Sequence, residues 1–252
     1  MDSTSDIFEA QSVSPKAQAR QQRKASKASG QSVLKARTPR QQQLLDAFAR
    51  YPVVFAIGAA GSGKTYLGTR YSAQEIVAGK KERLVMSRAT AAAPRHRMGF
   101  LPGTDAMKMA PWLVPIMSAL KEGLSGAQLE KFQHEKRIEI LPFEHMQGRT
   151  VKDGIFLLDE AQNCTEGDLE MFITRLGEDA QIIICGDPDQ VVPGIDSGLV
   201  SIMNMVGEYG LNACVVTFDE NDVVRSETAA EWVRAFKKRR QSHGISFLQN
   251  AA

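Results

Sequence analysis

Residues 57–67 read IGAAGSGKTYL, so three glycines, a lysine and a threonine directly follow an apolar run. The spacing from Gly58 to Gly63-Lys64-Thr65 matches a phosphate-binding loop, whose backbone N–H groups cradle the phosphates of a nucleotide. In such a loop the lysine reaches the β- and γ-phosphates, and the hydroxyl of the next residue binds Mg²⁺. We therefore expect ATP to bind along the loop, at Gly58, Ala59, Ala60, Gly61, Ser62, Gly63, Lys64, Thr65 and Tyr66.

A phosphate-binding loop requires a strand before it and a helix after it, and the flanking sequence predicts both. VVFAI at 53–57 is a short, β-branched apolar run typical of a buried strand. Further strands are predicted at 83–87, 155–160, 181–187 and 213–218. The stretch 89–137 contains four prolines and predicts loops with short helices. Strands alternating with helices indicate one α/β domain, a P-loop NTPase with a mainly parallel sheet flanked by helices.

Two acidic residues, Asp159 and Glu160, end the third apolar run. This position suits a Walker B aspartate that holds Mg²⁺ together with Thr65, and the adjacent acid suits a base that deprotonates the water attacking the γ-phosphate. Taken alone, two acids after a strand would indicate only a turn. Because ligands bind beyond the carboxyl ends of parallel strands, the loop and both acids are expected at one edge of the sheet.

The fourth run ends in GDPDQ, residues 186–190. Asp187 is expected beside the metal without binding it directly. Gln190 carries both a donor and an acceptor, so it is expected to contact the γ-phosphate or the attacking water. The alternative interpretation is an ordinary Gly-Asp-Pro turn.

The first helix is predicted to begin after Thr38, a suitable N-cap, with Pro39 in its first position. Gln41 shares the helix face of Leu44 and Phe48, which is unusual for a glutamine. Two interpretations stay open: the amide of Gln41 pairs with the edge of adenine, or it bonds to backbone near the start of the helix.

Positive charge is concentrated near the N-terminus. No acidic residue occurs between Glu9 and Asp46, whereas that interval holds eight basic residues. Because the net charge of the whole chain is only +2, the rest of the chain has a negative net charge. Residues 1–37 have few large apolar side chains and are predicted to be a disordered basic tail. Such a tail can bind nucleic acid by counterion release, or can serve only solubility. Residues 38–240 are the predicted ATPase domain, and 241–252 a C-terminal tail.

The remaining composition is that of an intracellular protein. Three widely spaced cysteines without a C-x-x-C motif indicate neither a disulfide framework nor a zinc site, so a reducing, cytoplasmic compartment is expected. The N-terminus lacks the apolar core of a signal peptide. No apolar run approaches the roughly 18 residues that would span a membrane.

The segments FAIGAAGSGKTYLG, MGFLPG, FLLDEAQNCTEGDLEMFITRLG, IIICGDPDQ and DVVR together resemble the PhoH family of P-loop ATPases over about residues 38–236. That family is similar to the first RecA-like domain of superfamily 1 helicases. The resemblance implies an Mg²⁺-dependent ATPase with a helicase-like core that acts on, or is stimulated by, RNA or single-stranded DNA. It also implies that Gln41 is the Q-motif glutamine and Gln190 the motif III glutamine.

One segment departs from the family pattern. The family typically has an Arg-Pro pair followed by acidic residues, whereas this chain has Arg88-Ala89 and then Arg95 and Arg97. A change from acid to base favours a polyanion, so this segment is expected to contact nucleic acid together with the basic tail.

Superfamily 1 helicases hydrolyse ATP between two RecA-like domains, and only one is predicted here. An arginine supplied by a neighbour contributes roughly 10³–10⁵ in rate. We therefore expect a homo-oligomer, such as a hexameric ring, with Arg225 as the catalytic arginine. Arg175 is a second candidate, although a basic residue in a helix's last turn also complements the helix dipole. Two other functions stay open: a nucleotide-gated scaffold with slow turnover, and a P-loop kinase for small molecules.

Overall fold

The computed structural model describes residues 32–89, 105–146, 148–150, 152–224 and 227–242. Its centre is a six-stranded sheet in which every pairing is parallel, in the order β3-β2-β4-β5-β1-β6. The strands are β1 Val53–Gly58, β2 Arg83–Arg88, β3 Ile138–Pro142, β4 Gly154–Asp159, β5 Gln181–Gly186 and β6 Ala213–Phe218. The predicted α/β fold with a parallel sheet is confirmed.

Helices cover both faces of the sheet. They are α1 Pro39–Phe48, α2 Lys64–Val77, α3 Asp105–Gly123, α4 Gly126–His134, α5 Glu166–Ile173, α6 Leu199–Glu208 and α7 Glu227–Ser242. Alternate strand residues face opposite sides, so Leu157 joins a core formed with α1–α4, whereas Phe156 joins a second core formed with α5 and α6. The central strands are therefore buried on both faces, as parallel strands require.

The predicted start of the first helix, after Thr38, is confirmed. The hydroxyl of Thr38 accepts a hydrogen bond from the backbone N–H of Gln41, and Pro39 occupies the first turn of α1. Thr165 and Asp168 form a reciprocal capping box at the start of α5. Local residue identity is sufficient to define such helix ends, because the bonds join residues three positions apart.

The prediction of loops and short helices after β2 was wrong for 105–123, which forms the 19-residue helix α3. Pro115 lies inside this helix, where a proline removes one backbone hydrogen bond. Ile116, Ala119 and Leu120 are nevertheless buried, and α3 packs along α2. Burial of this apolar face outweighs the local cost of the proline.

The edge strand β3 was not predicted. It pairs with β2 from Leu84↔Ile138 to Arg88↔Pro142 and is only partly buried along its middle. An edge strand that carries Glu139 and ends in a proline lacks the continuous apolar run that identifies the central strands.

The packed chain extends to Ser32, N-terminal to the predicted start of the domain at Thr38. The guanidinium of Arg70, which is fully buried, donates to the hydroxyl of Ser32 at 2.8 Å and to its carbonyl oxygen. Leu34 packs against the core on the α1–α4 side. Residues 32–37 thus satisfy a buried charge, which their composition did not indicate.

The last helix carries two large apolar side chains that the described residues leave largely exposed. Trp232 and Phe236 pack against each other with ring centroids 5.6 Å apart, yet they are 61% and 53% exposed.

Throughout the part of the chain that is described, no helix is both long and apolar enough to cross a membrane.

Candidate functional site

The phosphate-binding loop connects β1 to α2 at the carboxyl edge of the sheet. Gly58 has φ +117°, and a Cβ at this position would lie 1.9 Å from the carbonyl oxygen of Phe218 in β6, so only glycine fits. Gly63 has φ +87° immediately before α2 begins at Lys64. These positions explain the glycine spacing, because the chain must turn in a left-handed conformation directly beside the neighbouring strand.

The side chain of Lys64 lies inside the loop. Its ammonium donates to the carbonyl oxygens of Gly58 at 2.6 Å and Ala59 at 2.9 Å. Burial lowers the pKa of Lys64, and the negative charges of Asp187 and Asp159 act against that shift. A partly buried cation at the start of a helix, beside turned backbone N–H groups, suits a polyanionic ligand.

Thr65 and Asp159 form the pair expected for Mg²⁺. The hydroxyl of Thr65 donates to Oδ1 of Asp159 at 2.6 Å, which joins the start of α2 to the end of β4. Burial raises the pKa of Asp159, and the Thr65 hydrogen bond and the nearby charge of Arg88 lower it. A hydroxyl and a buried carboxylate are hard oxygen ligands and fit Mg²⁺, which takes few protein ligands and completes its shell with phosphate and water.

Glu160 has an unusual backbone conformation and two side-chain partners. Its φ of 56° lies in the left-handed region, which is uncommon for a residue other than glycine. Its Oε1 accepts from Nη2 of Arg88 at 2.7 Å, and its Oε2 accepts from the amide of Gln162 at 2.6 Å. Each carboxylate oxygen of the predicted base therefore already accepts one hydrogen bond from the protein.

Hydrogen bonds connect Glu160 to Gln190, the last residue of the GDPDQ segment, through Gln162 and Asp187. The backbone N–H of Asp187 donates to Oε1 of Gln162 at 3.0 Å, so Gln162 bridges Glu160 to the end of β5. The amide of Gln190 donates to the carboxylate of Asp187. Asp187 thus positions Gln190. Within the described part of the chain, it forms no hydrogen bond with Thr65 or Asp159.

Many of the predicted site residues line one cavity of about 270 Å³. The cavity is lined by Ala60, Gly61, Gly63, Lys64, Thr65, Tyr66, Arg88, Pro115, Asp159, Glu160, Gly186, Asp187 and Gln190. Gly58 and Ala59 instead line an adjoining cavity of about 490 Å³, together with Asp187 and Gln190. Ser62 is fully buried, and its hydroxyl bonds to the carbonyl oxygen of Ala59 at 2.9 Å.

Gln41 lies behind the loop and does not line either cavity. Its Nε2 donates to the carbonyl oxygen of Ser62 at 2.8 Å, and its Oε1 accepts from the backbone N–H of Arg37 at 2.7 Å. The structure therefore shows the second of the two interpretations, in which the amide of Gln41 bonds to backbone near the start of the helix. These bonds tie the start of α1 to the phosphate-binding loop, whereas a contact between Gln41 and adenine stays a prediction.

Of the predicted arginines, three lie outside the described residues and a fourth lies at the end of a helix. The three are Arg95, Arg97 and Arg225. The residue before Arg225, Val224, donates its N–H to the carbonyl oxygen of Gly61 at 3.0 Å and so lies against the loop of its own chain. Arg175 bonds through Nε to the carbonyl oxygen of Met171 at 3.3 Å, as expected for a residue that satisfies the end of a helix.

The sequence analysis missed two side chains in this site. Arg88 was assigned to a nucleic-acid segment, yet it lines the cavity, contacts Glu160 and lies 3.5 Å from Oδ2 of Asp159. Gln162 was given no role, although it joins Glu160 to Asp187. Its place in the motif DEAQ was the available signal, but its direction depends on the left-handed turn at Glu160.

Comparison with known proteins gives a consistent family. A family model described as PhoH-like protein matches residues 33–237. The PhoH-like protein of Bacillus subtilis (strain 168) is 36% identical over 214 residues, which cover 84% of this chain and 66% of the relative. Protein PhoH of Escherichia coli (strain K12) is 32% identical over 209 residues, covering 81% and 58%. The chain thus spans about two thirds or less of these relatives' length.

Among solved structures, the large terminase of the thermophilic bacteriophage D6E has a similar fold, with a TM-score of 0.51 and 11% sequence identity. The similarity covers 78% of this chain and 49% of the terminase chain. At this identity the likeness concerns the fold alone. The family match extends over most of the chain and includes the phosphate-binding loop and the two acids at the end of β4, Asp159 and Glu160. This chain therefore belongs to the PhoH-like protein family.

Proposed function

We propose that this protein is an Mg²⁺-dependent ATPase that acts on, or is stimulated by, RNA or single-stranded DNA. The observation that carries the proposal is the cluster around one cavity: Lys64 in the loop, Thr65 bonded to Asp159 at 2.6 Å, and Glu160 and Gln190 beside them. This arrangement combines a cationic phosphate cradle, a pair of hard oxygen ligands and a carboxylate base.

Each residue then has a distinct role. The loop N–H groups and Lys64 hold the phosphates, which requires Lys64 to exchange its bonds to loop carbonyls for bonds to the ligand. Thr65 and Asp159 would hold Mg²⁺, which supplies positive charge to the phosphate oxygens when bound. Gln190 orients the attacking water, and Glu160 accepts its proton.

Of the two alternative functions, the contacts of Glu160 favour a nucleotide-gated scaffold over a small-molecule kinase. A small-molecule kinase is disfavoured, because Glu160 and Gln190 suit water as the acceptor. A nucleotide-gated scaffold with slow turnover is the second candidate, since both oxygens of Glu160 already accept hydrogen bonds, from Arg88 and Gln162. An attacking water would have to share an oxygen of Glu160 with one of these two donors.

The nucleic-acid part of the proposal is tested by removing the basic tail. The deletion should stop at residue 31, because Ser32 bonds to the buried Arg70. It removes five basic side chains, Lys16, Arg20, Arg23, Lys24 and Lys27. We expect weaker binding of RNA or single-stranded DNA, with the slope of log affinity against log salt reduced by up to about three, and an unchanged basal ATPase rate.

The measurement is a salt titration of binding to a labelled oligonucleotide, with phosphate release followed on the same preparations. Replacing the five basic residues by glutamine in the full-length chain is the matched control, and it should reproduce the deletion. Equal salt slopes for the deleted and full-length chains would show that the tail does not contact phosphate. If neither RNA nor single-stranded DNA binds the full-length chain or changes its turnover, nucleic acid is not part of the function.

Assembly is the remaining part of the proposal. A homo-oligomer, such as a hexameric ring, would bring Arg225 of one subunit to the nucleotide of its neighbour, where a guanidinium suits the charge that develops on the γ-phosphate. Glu160 and Arg225 would then lie on opposite sides of each subunit contact.

Mixing two inactive variants tests the assembly. We expect a mixture of Glu160→Gln and Arg225→Ala subunits to be more active than either variant alone, because some contacts regain both groups. Phosphate release is measured after subunit exchange has been verified with labelled protein. The control adds wild-type subunits to each variant, which reports how each affects its neighbours. A mixture no more active than its components, or a fully active monomer at sedimentation equilibrium, would contradict an arginine acting in trans.

A further inference from the structure

The guanidinium of Arg88 lies between the two carboxylates of the site. Arg88 is the last residue of β2 and pairs in register with Asp159 at the end of β4. Its Nη2 is 2.7 Å from Oε1 of Glu160, and its Nη1 is 3.5 Å from Oδ2 of Asp159. The side chain is 23% exposed and faces the same cavity as Lys64. One planar cation therefore bridges the predicted base and the predicted metal ligand.

This bridge restrains Glu160. A carboxylate accepts hydrogen bonds only, and the two oxygens of Glu160 are bonded to Arg88 and Gln162. The left-handed backbone at Glu160, and the hydrogen bond that Gln162 accepts from the backbone N–H of Asp187, hold the side chain on this side of the cavity. An attacking water at Oε1 would therefore share that oxygen with a charged donor, which holds the carboxylate in place.

Binding of Mg²⁺ and ATP would change the balance of charge around Arg88. A metal ion held by Asp159 weakens the attraction between that carboxylate and Arg88. The terminal phosphate adds anionic oxygens to the cavity that Arg88 lines, and a guanidinium binds phosphate oxygens with a forked, charge-assisted geometry. The phosphate is thus a competing partner for the donor that occupies Glu160.

We propose that Arg88 is a γ-phosphate sensor that holds Glu160 until ATP binds and then transfers its hydrogen bond to the terminal phosphate, which frees the base. The proposal rests on the function proposed above and adds a device for coupling hydrolysis to the bound nucleotide. ADP lacks the terminal phosphate, so it leaves the bond between Arg88 and Glu160 in place. Arg88 and Arg225 then have different tasks, one within the chain and one between subunits.

The test compares affinities for a slowly hydrolysed ATP analogue, ATPγS, and for ADP by isothermal titration calorimetry. We expect Arg88→Ala to weaken ATPγS by roughly 10–100-fold, the range for a lost hydrogen bond to a charged group, and ADP by less than about threefold. Arg88→Lys keeps the charge without the fork and should lie between. Arg83→Ala, at the other end of β2, is the matched control and should change neither affinity.

A double-mutant cycle tests whether Arg88 and Glu160 are coupled in ATPγS binding. A purely structural role of Arg88 would not produce this coupling. Glu160→Gln replaces the charged partner of Arg88 by a weaker, neutral acceptor, so the change in ATPγS affinity that it causes should differ between the wild-type chain and Arg88→Ala. If Arg88→Ala fails to fold, as checked by thermal melting, Arg88→Lys carries the same comparison.

Three outcomes would overturn the inference: equal losses for ATPγS and ADP, no loss for either, or the same effect of Glu160→Gln with and without Arg88. Lys64→Ala in the same assay separates this failure from a failure of the proposed function. If Lys64→Ala loses both nucleotides while Arg88→Ala shows no selectivity, the site binds nucleotide and only the sensor is wrong. If Lys64→Ala loses neither, the nucleotide site and the sensor fall together.

Discussion

Replacing Lys64 by alanine is expected to abolish nucleotide binding, with a loss of affinity of at least about 100-fold. Lys64 is the only charged side chain in residues 57–67, and its ammonium already bonds to two carbonyl oxygens of the loop. Without it the phosphates would depend on backbone N–H groups alone. Isothermal titration calorimetry with ATP, ADP and ATPγS in the presence of Mg²⁺ provides the measurement.

The control for this substitution is Lys80→Ala, just after the far end of α2. Lys80 has an exposed side chain that pairs with Glu75 at 3.1 Å, so its loss should leave nucleotide affinity unchanged. Circular dichroism should show that both variants stay folded. An Lys64→Ala protein that binds ATP as tightly as the wild type would contradict the assignment of 57–67 as a phosphate-binding loop.

The second large effect is expected from Glu160→Gln, which should lower turnover by roughly 10²–10⁴-fold, the range for the loss of a general base. Binding of Mg²⁺ and ATP should persist, because Lys64, Thr65 and Asp159 remain. Glutamine keeps the size of the side chain and one oxygen acceptor for Arg88, so the site should change little in shape. Single-turnover phosphate release at saturating enzyme measures the chemical step separately from binding.

Glu170→Gln is the matched control for that substitution, since Glu170 lies exposed on α5 and does not line the nucleotide cavity. Its turnover should equal that of the wild type. If Glu160→Gln hydrolyses ATP at the wild-type rate, Glu160 has a structural role at its left-handed turn. In that case Gln190 would have to position the water without a neighbouring base.

Much of the site could be predicted because parallel strands end at one edge of the sheet. Thr65 follows β1, Asp159 ends β4 and Gln190 follows β5, and each was recognised from an apolar run and the residues after it. The register of the sheet then brings the side chains around one cavity, as expected. Neither the order of the strands nor the side-chain contacts were needed for that inference.

Other features depended on packing that no local pattern reveals. Helix α3 continues through Pro115 because its apolar face is buried against α2, and Arg70 is buried because Ser32 and Glu122 satisfy it. The strand β3 is half exposed, so its composition lacks a clear apolar run. In each case tertiary contacts outweigh the local preference of the residues.

The sequence by itself determined the fold class and the phosphate-binding loop, because both depend on residues close together in the chain: glycines that permit the turn, the lysine and threonine after it, and apolar runs that form buried strands. Only the tertiary structure decided that Arg88 contacts Glu160, 72 positions away, and that Gln162 holds the other oxygen. The physical reason is that these contacts require the pairing of β2 with β4 and the left-handed turn after Asp159. Neither can be deduced from the order of residues within one segment.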